Sequence, residues 1–267
     1  MKPLFSPRCL RVTGVLAVIF CLGALACRAL SPGTAGCRQE DLSHWPAALN
    51  AEADAGASSP PTEKRVFLTF DDGPSATTET ILDTLAEKQV KASFFVIAAE
   101  NNEKYLPLVQ RIQEEGHTIA LHSASHDYSD IYSSTAAYWQ DIDLLLEKLS
   151  PYLTAQPSWL RFPGGSTNTV SRKYGGSGLM EKLVARAAEK GYQVLDWNVS
   201  AEDAVGSHPS ASRILENIQS DSRGKTTCVV LMHDTNATPN TAKALPDIID
   251  WYAAEGYRFC TLSEEAP

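Results

Sequence analysis

The chain lacks a basic excess: its 267 residues carry 23 Lys and Arg against 32 Asp and Glu, a formal net charge of −9. Without surplus cations to neutralise phosphates, nucleic acid is excluded as a natural partner, and so is electrostatic attachment of the body to an acidic membrane. A disulfide framework is lacking too. Of six cysteines, Cys9, Cys21, Cys27 and Cys37 lie in or beside the N-terminal segment, leaving only Cys228 and Cys260 in the body. Two cysteines do not make a stapled small fold, and their apolar surroundings leave a single bridge and two buried free thiols both open. No internal repeat is visible, which leaves one large domain with an appendage.

The appendage is N-terminal. Lys2, Arg8 and Arg11 precede a 16-residue uncharged run, Val12 to Cys27, that ends in Ala24-Leu25-Ala26, the arrangement of a secretory signal peptide, with a retained signal anchor as the alternative. Residues 1–37 are therefore expected to export the protein, outside the cell or on the outer face of its membrane, and to be its only membrane contact. Residues 38–64, rich in Ala, Ser, Pro and Glu, read as a flexible linker. The body, 65–267, is 43% hydrophobic and 21% charged when averaged with the rest of the chain, the balance of an ordinary globular domain. It is expected to be a monomer.

Strand-like runs in the body ("RVFLTF", "ASFFVI", "HTIAL", "SWLRF", "YQVLDW", "TTCVVLM", "YRFCTL") alternate with helix-like stretches such as 79–88, 105–115, 136–149, 179–190 and 210–219. Such alternation implies parallel strands with right-handed crossovers, and near-continuous apolar runs imply strands covered on both faces. Seven or eight units in some 200 residues favour an α/β fold that is a distorted, TIM-like (β/α) barrel of about seven parallel strands.

In parallel α/β folds reactive groups gather at the carboxyl ends of strands. Asp71 and Asp72 follow the first run, His122 and His126 the third, Arg161 ends the fourth, Asp203 follows "LDWNV", and His233 follows "CVVLM". Each has an ordinary reading by itself. Asp-Asp-Gly-Pro is turn chemistry, the histidines could be surface or core residues, and Arg161 could be an exposed cation. Joint placement on one rim is what favours a site. Two histidines four apart can share one ion, and three ligands with an open position suit a catalytic metal. Since Ser-Ala-Ser separates the histidines, the base must come from elsewhere, and the double aspartate offers one metal ligand and one base.

The motifs "TFDDGP", "HSASH", "RFPGG", "WNVSAEDA" and "LMHD", in that order from about residue 65 to 262, make the chain resemble the polysaccharide deacetylases of carbohydrate esterase family four, the NodB-homology domain. The resemblance implies that Asp72, His122 and His126 hold a divalent metal, commonly zinc, with cobalt or nickel as alternatives. It implies that Asp71 is the general base, paired with Arg161, and His233 the general acid, paired with Asp203. Leu231 would line the acetyl pocket, with Pro163 and Gly165 beside the substrate. The implied substrate is a cell-wall glycan, most naturally the N-acetylated sugars of peptidoglycan; chitooligosaccharides, acetylxylan and a weakly active glycan-binding role are the alternatives. Where many relatives have Asp-Trp, this chain has Asp203-Ala204, and Tyr128 and Tyr132 are alternative aromatic surfaces for a sugar ring.

Overall fold

The computed structural model describes residues 63–206 and 208–264; the expected leader and most of the linker lie outside them. Eight parallel strands alternate with helices. The order is β1 (Arg65–Asp71), α1 (Ala76–Lys88), β2 (Ser93–Ile97), α2 (Leu108–Glu114), β3 (Thr118–Ser123), α3 (Tyr128–Ile131), α4 (Thr135–Leu149) and β4 (Trp159–Leu160). There follow α5 (Arg172–Gly175), α6 (Leu179–Glu189), β5 (Gln193–Val194), β6 (Val199–Ser200), α7 (Ala211–Asp221), β7 (Thr227–His233), α8 (Pro239–Ala254) and β8 (Arg258–Cys260). Among the described residues no helix is long and apolar enough to cross a membrane.

The strands run side by side as β5-β4-β3-β2-β1-β7-β6. This is the cyclic order of a (β/α) barrel opened between β5 and β6, and the sheet curls into a half-barrel. β7 pairs along all of β1, while the other edge is shared, β8 pairing with Arg65 to Phe67 and β2 with Thr69 to Asp71. The eighth strand thus patches the lower half of β1 rather than adding a full stave.

Strand alternation sorts side chains into two sets. Outward-facing Val66, Leu68 and Phe70 join the large core under the helices. Inward-facing Phe67, Phe95, Ala120, Trp159, Val229 and Cys260, one from each of six strands, meet Leu195 and Leu262 in a second apolar cluster that plugs the bottom of the barrel. Cys228 lies in the outer core and Cys260 in the inner plug. The sheet separates them, and both are buried free thiols.

The five helix-like stretches fall on α1, α2, α4, α6 and α7, with bounds shifted by a few residues. The longest helix, α8, lies outside those stretches and carries two prolines. Pro239 occupies the first turn, where no N–H is needed, and Pro246 is carried inside a helix whose buried face includes Leu245, Ile248, Ile249 and Tyr252. β6, which begins two residues after the run "YQVLDW" ends, falls outside the strand-like runs.

Candidate active site

Two residues further along the inward-facing rows, the plug gives way to polar groups. Phe67 is followed by Thr69 and Asp71, Ala120 by His122, Trp159 by Arg161, and Val229 by Leu231 and His233. Asp71 and His233 are direct neighbours in the β1–β7 ladder. One strand period therefore places base, ligand, arginine and acid candidates on the same inner rim.

Arg161 is completely buried. Its Nη1 donates to Asp71 Oδ1 at 2.7 Å and to Thr69 Oγ1 at 2.9 Å, Nε donates to the Leu195 carbonyl at 3.0 Å, and Nη2 to the Asp196 carbonyl at 3.1 Å. The guanidinium carbon lies 4.0 Å from the Phe95 ring centroid and 5.6 Å from that of Trp197. A buried charge is tolerable only when paired and hydrogen-bonded in this way. Asp71 thus has one oxygen tied to the arginine, while its other lies 3.8 Å from His122 Nε2.

Consecutive strand residues point to opposite faces, so Asp72 would be lost to the site if β1 simply continued. It does not. Asp72 adopts φ +71°, in the left-handed region, and its Oδ1 comes within 3.4 Å of His122 Nε2 and 3.2 Å of His126 Nε2. His126 is also left-handed, at φ +55°. Non-glycine residues hold this conformation only where their surroundings over-determine it. Asn102 Nδ2 fixes the turn by donating to the Asp72 and Pro74 carbonyls, both at 3.0 Å.

Ligand atoms of Asp72, His122 and His126 all lie within 4.8 Å of one another. Asp72 Oδ1 is buried with no hydrogen-bond partner, a costly state for a carboxylate unless a cation completes it. His122 Nδ1 lies 2.7 Å from the Arg161 carbonyl; a carbonyl only accepts, so Nδ1 carries the proton and Nε2 keeps a lone pair facing the cluster. The residues present fit a divalent cation. Burial would raise the Asp72 carboxyl, but the imidazoles of His126, His122 and His233 outweigh it and hold the group below the usual carboxylate range; burial lowers His122.

His233 Nδ1 lies 2.8 Å from Asp203 Oδ1, and Asp203 Oδ2 accepts from the His233 N–H and from Thr241 Oγ1, both at 2.7 Å. Burial alone would lower the imidazole. The Asp203 charge and hydrogen bond, with the charges of Asp72 and Asp71, push it up instead to about 10. Next to it, Asp234 is fully buried, and its carboxyl accepts from Thr78 Oγ1 at 2.6 Å. Burial pushes Asp234 up to about 7. A β-carbon on Gly73 would collide with this carboxyl.

Leu231 stands on the inner rim between Thr69 and Ser200. Pro163 offers its carbonyl to the Tyr132 hydroxyl at 2.7 Å, and a β-carbon on Gly165 would come within 3.4 Å of the Trp197 ring. Tyr132 is fully buried and cannot stack on a sugar, which corrects that expectation. Tyr128 is half-buried, 5.6 Å edge-on from His126 and close over Gly164. Sequence reasoning singled out none of Thr69, Asp141, Asp196 and Thr241; Asp234 it placed on the rim beside His233, without a role.

The polysaccharide deacetylase family model matches residues 58–177, a span that contains Asp71, Asp72, His122, His126 and Arg161. The catalytic domain of the peptidoglycan N-acetylglucosamine deacetylase of Eubacterium rectale superposes with a TM-score of 0.73 at 36% identity, covering 80% of this chain and 96% of that one. The chain belongs to the polysaccharide deacetylase family. A family member from Bacillus cereus, a peptidoglycan-N-acetylglucosamine deacetylase, is 27% identical over 97% of this chain and 95% of its own length. Another, the bifunctional xylanase/deacetylase of Pseudobutyrivibrio xylanivorans, is 30% identical over 81% of this chain and 33% of its own length. As a family member the chain is a polysaccharide-deacetylating hydrolase, and its Asp72, His122 and His126 are a candidate metal site.

Proposed function

We propose that this protein is an exported, metal-dependent hydrolase that removes N-acetyl groups from peptidoglycan sugars. The observation that carries the reading is the placement of Asp71 and His233 as ladder neighbours beside the Asp72, His122 and His126 cluster. Export rests on the leader-like segment at residues 1–37, and the substrate rests on the peptidoglycan deacetylases among the relatives.

In this reading Asp72, His122 and His126 hold a divalent cation, zinc being the natural choice for two imidazoles and a carboxylate, with cobalt or nickel able to substitute. When bound it supplies positive charge for the acetyl carbonyl and an acidified water near neutral pH. Asp71 takes the proton from the attacking water through the oxygen that Arg161 leaves free, and Arg161 fixes the direction of that carboxylate. His233 enters the reaction protonated and gives its proton to the departing nitrogen, because an amine leaves poorly until protonated. The Asp203 carboxylate holds His233 at both its ring Nδ1 and its main-chain N–H. Separate base and acid groups suit amide cleavage better than one group doing both tasks. Leu231 provides a small apolar wall for the acetyl methyl.

The test is acetate release by the purified full-length protein from isolated peptidoglycan, N-acetylglucosamine oligomers and acetylated xylan, with chelator and metal add-back. Chelator-sensitive acetate from peptidoglycan above the other two is the expected result. Preference for acetylated xylan would move the substrate, and silence on all three with metal bound would leave a glycan-binding role.

A further inference from the structure

The two histidine ligands are held in different ways. His122 belongs to β3, between hydrogen-bonded neighbours, with its ring pinned by the Arg161 carbonyl. His126 comes after the strand, at the end of Ser123-Ala124-Ser125, in a left-handed backbone conformation that is strained for a residue with a β-carbon. Something outside that loop must hold it.

One side chain does so. Asp141, in the second turn of α4, accepts from Ser123 Oγ and from the Ala124 N–H with its Oδ2, both at 2.7 Å, and from the Ser125 N–H with its Oδ1 at 3.0 Å. Ser123 Oγ, oriented by donating to Asp141, in turn accepts from the His126 N–H at 2.9 Å. Three successive residues are thus tied to one carboxylate, and the chain of bonds ends on the ligand itself. α4 is a firm base for the clamp, since Tyr138, Ile142 and Leu145 on either side of Asp141 are buried in the outer core. The task needs a carboxylate. Two N–H groups and one O–H converge on it, and a charged acceptor makes such bonds stronger; an amide would present N–H donors to at least one of them.

We propose that Asp141 is a positioning residue of the metal centre: by clamping the Ser123 to Ser125 turn it fixes His126 toward Asp72 and His122 and so sets the affinity of the site for a divalent cation. This rests on the metal-dependent reading above. It assigns Asp141 no contact with substrate or ion.

The test measures zinc affinity by chelator competition in the full chain, together with the visible spectrum of the cobalt-loaded protein, for wild type, Asp141→Asn, Asp141→Ala and Asp143→Ala. Asp143 is exposed on the same helix and controls for loss of one negative charge. Asp141→Ala is expected to weaken zinc by roughly 10–100-fold, the usual effect of removing an outer partner of a metal site, and to alter the cobalt spectrum. Asp141→Asn should fall between it and wild type, and Asp143→Ala should match wild type. A lower thermal midpoint with unchanged affinity and spectrum in the Asp141 variants would reduce the residue to fold maintenance and overturn the inference. If Asp141→Ala does not fold, Asp141→Asn, close in shape, decides by the same readouts. Wild-type protein that binds no divalent cation would overturn the metal reading itself, an outcome distinct from wild-type binding that Asp141 variants share in full.

Discussion

Phe67 and Asp71 lie on one strand, on one face, four residues apart, yet they belong to different parts of the molecule. At the level of Phe67 the barrel interior is an apolar plug drawn from six strands. At the level of Asp71 it is a ring of polar and charged groups: Arg161, His122 and His233 from other strands or their ends, with Asp72 turned in to join them. The plug stabilises by burying surface without needing partners. The ring is buried almost as deeply and stands only because each group answers another. The strand period is thus the device that lets stability and chemistry share the same staves.

Substitutions at the two levels should separate accordingly. The largest effect is expected from Asp71→Asn, which keeps one oxygen for Arg161 but no base: turnover should fall by about 10²–10⁴-fold while the protein still unfolds in one cooperative transition and still binds metal. Turnover within tenfold of wild type would remove Asp71 from proton transfer. Next comes Phe67→Ala, expected to cost about 3–5 kcal/mol in denaturant unfolding through the cavity it opens, with turnover per folded molecule near that of wild type. A large loss of turnover with little loss of stability would mean that plug and ring are not separable.

The smallest and most specific effect concerns Asp203→Asn. In the native protein the His233 imidazole is raised to about 10, so its proton contributes stability that is complete below its ordinary pKa near 6.5 and is lost as the pH rises through about 10. Removing the Asp203 charge lets burial dominate and lowers the ring. The alkaline limb of the rate profile should move toward acid by roughly one unit or more, and the stability curves of variant and wild type should converge above about pH 10. An unmoved limb would show that Asp203 does not hold the proton in place.

The ring could be anticipated from sequence because each of its members interrupts an apolar run at the same end of a strand. The half-barrel followed from the same runs. What escaped reading acts through the main chain or at long range. Asp141 clamps backbone N–H groups from a helix, and Asp196 accepts from the Ser166 N–H and hydroxyl. Thr69 and Thr241 orient charged side chains with a hydroxyl that any surface threonine also has. Such residues carry no spacing that distinguishes them. The left-handed turn of Asp72 was equally hidden, although the paired aspartates make sense only with it. Tyr132 misled for a different reason: its burial is a tertiary matter, its ring stacked on Tyr138 and its hydroxyl bonded to the Pro163 carbonyl 31 residues away.

Gly73 and Asp234 carry a consequence for how this site can change through descent. The Asp234 carboxyl occupies the space in which any side chain at position 73 would begin, and Thr78 at the start of α1 relies on that same carboxyl. Position 73 cannot gain a side chain while that carboxyl stays. A descendant that gains a side chain at 73 must already have lost the carboxyl at 234, and on the way it passes through a protein whose first helix has lost an anchor. Lineages with a side chain at 73 should therefore lack the carboxyl at 234, whereas Gly73 can outlast its loss.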